Sequence, residues 1–304
     1  MEKRPEDFEV VGYTQEEANR INRPTISYWQ DAWRRLKKNP VAMGALVVLI
    51  LLLIMCIIGP YIRGYDFVKK NVKMKNQGVS ADYWFGTDYL GRDLFSRVWM
   101  GARASMIIAI VATVIKLVFG TIYGAVMAHF GGWVDDLMMR IIEVLNTLPD
   151  LLVTILIMMI FGNNLFALLI ALSIMSWCST ARQVRGMIKQ LKESEYVYAA
   201  EVLGASPMRI IIKHYVPNML GILILNASTA IPQFIFTEAG LSFLGIGLTS
   251  PEISLGVLIS LGQQTIDFYP TQLLFPCLVL CLIVMAFNLL GDGLRDALDP
   301  RLRQ

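Results

Sequence analysis

The sequence predicts an all-α membrane protein with about six transmembrane helices. Hydrophobic residues make up 55% of its 304 residues and charged residues 17%, and the mean hydropathy is +0.54. These values lie outside the range of soluble globular domains. The run from Val41 to Pro60 contains no charge, and about 18 or more apolar residues are typical of a bilayer-spanning helix. The run is too long, and begins too far along the chain, for a cleaved signal peptide.

The expected organisation follows the apolar runs. Residues 1–40 are predicted to form a cytoplasmic tail that ends in an interfacial helix, with Trp29 and Trp33 at the lipid headgroups. The first span is followed by an extracytoplasmic loop at 61–100, a five-helix core at 101–291 and a cytoplasmic tail at 292–304. Within the core, a cytoplasmic loop is expected at 182–217 and spans at 104–128, 137–161, 164–181, 219–240 and 271–290.

The distribution of Lys and Arg predicts the orientation in the membrane. The N-terminal tail contains eight basic residues and the loop between the fourth and fifth spans contains six. With six spans, both termini and this loop are expected in the cytoplasm. The loop at 61–100 contains seven basic residues and argues against this orientation, but the even number of spans and the more basic tail outweigh it.

The segment EYVYAAEVLGASPMRIIIKHYVPN, from Glu195 to Asn218, has the pattern of two short helices joined by a tight turn. Gly204 suits the left-handed conformation that ends a helix, and Ser206 followed by Pro207 is a typical helix start. Such a hairpin between spans indicates a contact for a soluble partner, and a solvated linker is the alternative. The residues expected to make the contact are Glu195, Tyr198, Ala199, Ala200, Glu201, Gly204, Ala205, Ser206, Pro207 and Pro217.

The same segment resembles the EAA loop of ABC-importer permeases, a pattern of Glu-Ala-Ala, three residues, Gly, nine residues and Ile-x-Leu-Pro. The two alanines, the glycine and the proline match. The chain departs from the pattern where Tyr198 replaces the glutamate, His214 the isoleucine and Val216 the leucine. The resemblance implies that the hairpin is a coupling helix that docks into a groove of an ATPase subunit.

Three further segments resemble motifs of the dipeptide/oligopeptide permease family. They are WFGTDYLGRDLFSRVWMGAR at 84–103, AGLSFLGIGLTSPEISLG at 239–256 and NLLGDGLRDALDPRLR at 288–303. With the EAA loop, they occur in the family's order at the expected membrane positions. The resemblance implies a C-type subunit with the type I ABC importer permease (MetI-like) fold.

This resemblance also implies a set of partners. They are a homologous B-type permease subunit in a heterodimer, two ABC ATPase subunits that bind ATP and Mg²⁺, an extracytoplasmic peptide-binding protein, a peptide substrate and membrane lipid. The chain itself is expected to bind no cofactor and no nucleic acid. Its expected location is the cell membrane of a prokaryote.

Polar residues inside predicted spans are candidates for a translocation pathway. They are Lys116, Asp150, Asn226, Gln233 and Glu238. We hypothesise that Asp150 and Glu238 meet the permeating solute, and that Lys116 pairs with Asp150 or lines the pathway beside it. Hydrogen bonding between helices is the alternative for each residue.

Charged residues near the outer end of the second span are candidates for docking of a binding protein. Asp88 is expected to cap a helix that begins near Tyr89, with Arg92 and Asp93 exposed beside it. A solvated interfacial helix is the alternative.

The residues that nucleotide hydrolysis, nucleophilic catalysis and metal binding require are not found together in the sequence. The sequence has no G-x-x-x-x-G-K-[ST] loop and no nucleophile–base motif, so ATP hydrolysis is expected from a partner and the chain is expected to be non-catalytic. The four cysteines all lie in apolar spans, and although Cys277 and Cys281 share a helix face, the two histidines and these cysteines predict no metal site. Alternatives are a permease for nickel or another small solute and, in a different class, an ion-driven secondary transporter, which would show inverted repeats.

Overall fold

The computed structural model describes residues 28–65, 68–248 and 252–298. Within these residues the chain is helical, with one isolated β-bridge and no strand, which confirms the all-α prediction. The helices are α1 Tyr28–Lys38, α2 Pro40–Ile62, α3 Leu94–Phe130, α4 Gly132–Thr147, α5 Asp150–Phe161, α6 Leu165–Lys192, α7 Glu195–Val202, α8 Pro207–Ile210, α9 Val216–Phe243, α10 Leu255–Gln263 and α11 Thr271–Leu298. The tail expected before residue 28 and the C-terminal Arg301 and Arg303 lie outside the described residues.

The first span is helical because its sequence supplies both a start signal and an apolar run. The Asn39 side chain accepts hydrogen bonds from the backbone N–H groups of Val41 and Ala42, both at 3.1 Å, and Pro40 occupies the first helical position. The span then continues to Ile62, two residues beyond the predicted boundary.

Four other single-helix spans, α3, α6, α9 and α11, continue past their predicted ends. Helix α3 has 37 residues and begins at Leu94, inside the loop predicted at 61–100, because Asp93 caps it by accepting from Ser96 N–H at 2.8 Å. Helix α6 reaches Lys192, and α11 reaches Leu298. The predicted boundaries mark where the apolar composition ends. A helix satisfies its own backbone hydrogen bonds, so it can continue beyond that point into water until a capping residue ends it.

The span predicted at 137–161 consists of two helices. Helix α4 ends at Thr147 and α5 begins at Asp150, with an 85° bend between them. Pro149 is the physical reason, since a proline lacks the N–H that a continuing helix needs and forces the preceding residue into an extended conformation. Leu148 has that conformation, with ψ 133°. Asp150 therefore opens a helix instead of lying midway along a span.

The parallel packing of α3 against α6 establishes the number of crossings. Gly120 packs on Thr180, Gly124 packs on Ala181 and Val184, and the Lys192 ammonium donates to the His129 carbonyl at 3.1 Å. Because both helices run in the same direction, the α4–α5 pair must return the chain across the bundle between them. Within the described residues, five helices long and apolar enough to span a membrane and this bent pair make up to six crossings.

The helical bundle has two ends that differ in the segments they contain. Helices α3 and α6 end beside the hairpin that starts at Glu195, and we call this the hairpin end. The Ala42 side chain packs against Gly293 there, so α1 and the end of α11 lie at the same end. We call the other end, which contains the segment between α2 and α3, the loop end. The Gln272 amide joins α11 to that segment by donating to the Thr87 carbonyl at 2.9 Å.

The main hydrophobic core lies towards the loop end. It is formed by residues of α2, α3, α6, α9, α10 and α11, among them Val98, Ile108, Leu168, Ile235, Leu255 and Ile283. Helix α10 has nine residues and packs against α3, α9 and α11 within this core. A second cluster lies under the hairpin.

The α3–α6 contact generates a stability prediction. A Cβ on Gly124 would overlap the Ala181 carbonyl oxygen, so we expect Gly124→Ala to destabilise the protein by about 1–3 kcal/mol through overpacking. Gly186 on α6 has open space around it, and Gly186→Ala should leave stability unchanged or raise it by up to about 1 kcal/mol through helix propensity. Thermal unfolding of both variants in the same detergent measures the difference, and equal melting temperatures would contradict the packing.

Candidate functional site

The hairpin begins with α7 and turns through a glycine. Gly204 has a φ of +79°, which favours glycine, and its N–H donates to the Glu201 carbonyl at 2.9 Å. The Ala205 N–H donates to the Ala200 carbonyl at 3.0 Å. These two bonds form a Schellman motif, so the predicted role of Gly204 as the end of a helix is confirmed.

The second half of the hairpin differs from the prediction in two respects. Ser206 is the N-cap residue and Pro207 the first helical residue, as predicted, but the Ser206 side chain makes no capping hydrogen bond. Pro217 does not restart the chain, because α8 and α9 are joined by a π turn at Ile211–Tyr215. In this turn the Val216 N–H donates to the Ile211 carbonyl, five residues back. The wider turn accommodates the proline that follows without ending the helical run.

One side of the hairpin is anchored in the bundle. Val197, Ile210 and Tyr215 are fully buried. They pack in the second hydrophobic cluster with α3 and α6 residues, which are Ala125, Ala128, Val184 and Ile188. The hairpin is therefore in direct contact with the ends of both helices.

The other side of the hairpin exposes large apolar side chains. Leu203 is 86% exposed, and Tyr198, which stands at the position of the family's glutamate, is 68% exposed. Val202, Met208 and Ile212 are also exposed. Of the other predicted contact residues, Ala200, Glu201 and Ala205 are half-buried, and Glu195, Ala199, Gly204, Ser206, Pro207 and Pro217 are exposed. A contiguous apolar patch of this kind marks an interaction surface.

A buried carboxylate beside the hairpin joins α4 to α6. Asp135 is 4% exposed and forms ion pairs with Arg185, with Nη2 at 2.6 Å, and with Lys189 at 2.8 Å. The sequence prediction did not include this cluster. The available signal was the i, i+4 spacing of Arg185 and Lys189 near the end of α6. On the exposed side of α4, Arg140 forms a separate ion pair with Glu143 at 2.9 Å.

Glu238 is the most buried charged residue among the pathway candidates. Its exposure is 0%, and its two carboxylate oxygens accept from Ser105 at 2.8 Å and Ser242 at 2.7 Å. The Ser105 hydroxyl in turn accepts from the Leu255 N–H at 3.2 Å, so the carboxylate connects α3, α9 and α10. The sequence placed Glu238 on a solute pathway, whereas the structure places it inside this chain. Sequence alone does not show which face of a span turns inwards.

The other pathway candidates lie apart from one another. Lys116 is half-buried with its ammonium 5.8 Å from the centre of the Phe234 ring, and Asp150 is exposed at the start of α5. The structure shows no ion pair between these two among the described residues. Asn226 donates to Gln183 on α6 at 2.8 Å, which is the interhelical hydrogen bonding given as the alternative. Gln233 is exposed.

The three charged residues expected to dock a partner are structural. Asp88 is 6% exposed and does not cap a helix. Its carboxylate accepts from the backbone N–H groups of Leu90 and Arg92, both at 2.9 Å, and from Arg92 Nε at 2.7 Å. Asp93 is the residue that caps α3. A tight turn before the helix, which the single-sequence pattern did not reveal, buries all three.

Comparison with known proteins supports the sequence resemblance. The family model described as binding-protein-dependent transport system inner membrane component matches residues 117–304. The model described as the N-terminal TM domain of oligopeptide transport permease C matches residues 27–78.

Individual relatives match along nearly their whole length. The chain is 46% identical to the dipeptide transport system permease protein DppC of Bacillus subtilis over 95% of this chain and 90% of the relative. It is 41% identical to the oligopeptide transport system permease protein OppC of the same organism over 98% and 97%. It is 38% identical to the OppC protein of Haemophilus influenzae over 96% and 95%.

The Asp135 cluster generates a second prediction. Asp135→Asn leaves the Arg185 guanidinium without its carboxylate, and we expect a loss of about 1–3 kcal/mol of stability. Glu143→Gln, which removes an exposed carboxylate from the same helix, should cost less than about 1 kcal/mol. Thermal unfolding of the two variants gives the comparison, and a smaller loss for Asp135→Asn than for Glu143→Gln would refute the proposed role of the buried cluster.

Proposed function

The chain belongs to the family of binding-protein-dependent transport system inner membrane components, and from this membership we propose that it is the permease subunit of an ATP-driven importer of di- and oligopeptides. It is a multi-pass membrane protein of six crossings. The single observation that carries the coupling role is the hairpin, which is anchored to two spans on one side and exposes Leu203 and its apolar neighbours on the other.

We propose that two ABC ATPase subunits supply the energy. The chain lacks a P-loop, so ATP and Mg²⁺ are assigned to those partners, and this subunit is non-catalytic. The exposed patch around Leu203 has the chemistry of a helix that inserts into an apolar groove. Because Tyr198 replaces the family's glutamate, this docking relies on shape and apolar contact at that position, without an ion pair.

The proposed mechanism is alternating access. Closure of the ATPase subunits around ATP displaces the hairpin, which shifts the ends of α3 and α6 through Val197 and Tyr215. Because Asp135 on α4 pairs with Arg185 and Lys189 on α6, a movement of α6 also moves α4. For ATP to bias the equilibrium, the ATPase must contact the hairpin differently in the inward-open and outward-open states.

We assign the hairpin end to the cytoplasm, because it carries the basic residues of α1 and of the end of α6. Both chain termini then lie in the cytoplasm and the loop end faces the extracytoplasmic binding protein, in the cell membrane of a prokaryote. Helix α5 has only 12 residues, and Leu152, Leu156 and Ile160 on it are exposed. We propose that the homologous B-type permease subunit covers it.

The substrate assignment comes from the relatives, whose names specify dipeptide and oligopeptide transport. Nickel or another small solute is the second candidate. Lys116, Asp150, Asn226 and Gln233 are proposed to face the pathway between the two permease subunits, and Asp150 is proposed to meet the peptide's amino terminus. Glu238 is assigned to packing within this subunit.

Coupling through the hairpin is tested by Leu203→Asp. Since Leu203 is 86% exposed, the substitution should leave folding and membrane insertion intact. A charge at the centre of an apolar contact should weaken ATPase binding by about 30-fold, the equivalent of about 2 kcal/mol. Recovery of the ATPase subunits in co-purification measures this. Phe268→Asp is the matched control at the loop end, with an original exposure of 81%, and should not affect recovery. Equal recovery of both variants would reject the hairpin as the docking element.

The substrate and energy source are tested by reconstitution of the four membrane and ATPase subunits in proteoliposomes. Uptake of a labelled dipeptide or oligopeptide should require ATP and the purified binding protein, and excess Ni²⁺ should not compete with it. Uptake that continues without ATP contradicts the mechanism. Competition by Ni²⁺ without competition by unlabelled peptide would establish the second candidate.

A further inference from the structure

The outer end of α2 lies beside an arginine on α3. The two helices run antiparallel there, with the Cys56 thiol 3.6 Å from the Met106 sulfur and Gly59 against Trp99. Arg103 lies between these two contacts on α3, and its Nη1 reaches to 3.5 Å from the Tyr61 hydroxyl in the last turn of α2. Helix α2 has 23 residues, a length of about 34 Å, close to the thickness of the hydrocarbon core. Arg103 therefore lies at the membrane surface, while the first turns of α3 extend beyond it.

Arg103 has no carboxylate partner among the residues that the structure describes. There its guanidinium makes a single long hydrogen bond, to Tyr61. Tyr61 is itself 63% exposed, so the pair opens towards the surroundings of the bundle. A charged residue at this depth calls for a partner, and an arginine fork matches the geometry of a phosphate.

An apolar row on α2 leads to this pair. Five exposed side chains follow one another at spacings of three or four residues, which places them on one face of the helix. They are Val47, Leu51, Ile54, Ile58 and Tyr61. The row would contact acyl chains along the depth of the membrane, and its last member brings a hydroxyl group to headgroup level.

Four lysines lie at the same end of the bundle. They are Lys69, Lys70, Lys73 and Lys75, all exposed, and the sequence from Val68 to Ala81 contains no acidic residue. Exposed apolar side chains, Val72 and Met74 among them, alternate with the lysines. Cationic and apolar side chains interleaved in this way are typical of segments that lie on an anionic membrane surface.

Backbone hydrogen bonds hold this lysine segment near α3. The Asn71 N–H donates to the Leu90 carbonyl and the Asn76 N–H to the Asp88 carbonyl, both at 3.0 Å. Arg63 is held in the same region, 4.7 Å from the Trp84 ring centre, and its guanidinium donates to the Ala81 carbonyl at 3.0 Å. These bonds thus hold the backbone of the lysine segment against the residues just before α3, at the loop end of the bundle.

We propose that the loop end of α2 binds an anionic phospholipid of the outer leaflet. Arg103 and Tyr61 hold the phosphate, the apolar row of α2 contacts an acyl chain, and the four lysines attract the negative headgroups around it. The proposal rests on the orientation assigned above and is independent of the transported substrate. A lipid fits better than an acidic protein surface because the row continues the site through the depth of the bilayer.

The test measures lipid retention by the complete transporter complex. We expect native mass spectrometry of the purified wild-type complex to detect bound phosphatidylglycerol, and phosphatidylglycerol nanodiscs to raise its melting temperature relative to phosphatidylcholine nanodiscs. Arg103→Gln should lower affinity for phosphatidylglycerol about fivefold, and Lys73→Gln with Lys75→Gln about 25-fold, from a contribution of about fivefold per charge. Arg103→Lys should retain most of the binding.

Arg140→Gln is the control, since it removes an exposed arginine from the hairpin end and should not affect the stabilisation by phosphatidylglycerol. If Arg103→Gln fails to assemble, the exposed lysine pair decides the question. Unchanged lipid retention in the lysine variant overturns the proposal. If the lysine variant retains lipid but the binding protein stimulates its ATPase activity less, the lysines instead form a contact site for the binding protein. Because retention is measured without peptide, it separates this inference from the substrate assignment.

Discussion

The parallel contact between α3 and α6 is the constraint on which the rest of the structure depends. Gly120 and Gly124 bring the two helices close enough for Thr180 and Val184 to pack against backbone. Since two consecutive parallel spans need a return crossing, the chain between them must traverse the bundle as the α4–α5 pair. The paired ends of α3 and α6 also form the seat into which Val197 and Tyr215 insert. One close packing contact therefore determines both the topology and the position of the hairpin.

Buried charge has a consistent role in this membrane protein. Asp135 and Glu238 each accept from at least one donor on another helix, and each connects elements that are far apart in sequence. A carboxylate in a medium without water is tolerated where such donors replace hydration. If one helix slid relative to another, the buried donors would lose their carboxylate, which costs free energy. These sites therefore fix the relative positions of helices that apolar contacts alone would allow to slide.

The sequence predicted the fold class, most of the spans and the turn at Gly204, because hydropathy and capping residues are local signals. It did not predict that Asp88 and Glu238 are buried, since burial of a polar side chain depends on which helix packs against it. Pro149 itself is a local signal for the bend. The residues on both sides of it are apolar, however, and such a composition is also typical of a single span. Helix ends were displaced for a related reason: hydropathy reports the membrane boundary, whereas a capping residue such as Asp93 reports the end of the helix.

The π turn at Ile211–Tyr215 divides one continuous helical run into two registers. An additional residue in a turn rotates everything on one side of it by about 100° relative to a regular α-helix. The hairpin side chains and those of the membrane-embedded half of α9 are therefore out of phase, so a helical wheel drawn through Met208 and Met219 together would assign one of them to the wrong face. Loss of a single residue there would restore an ordinary helix and turn the coupling surface away from its partner, even with every residue of that surface retained.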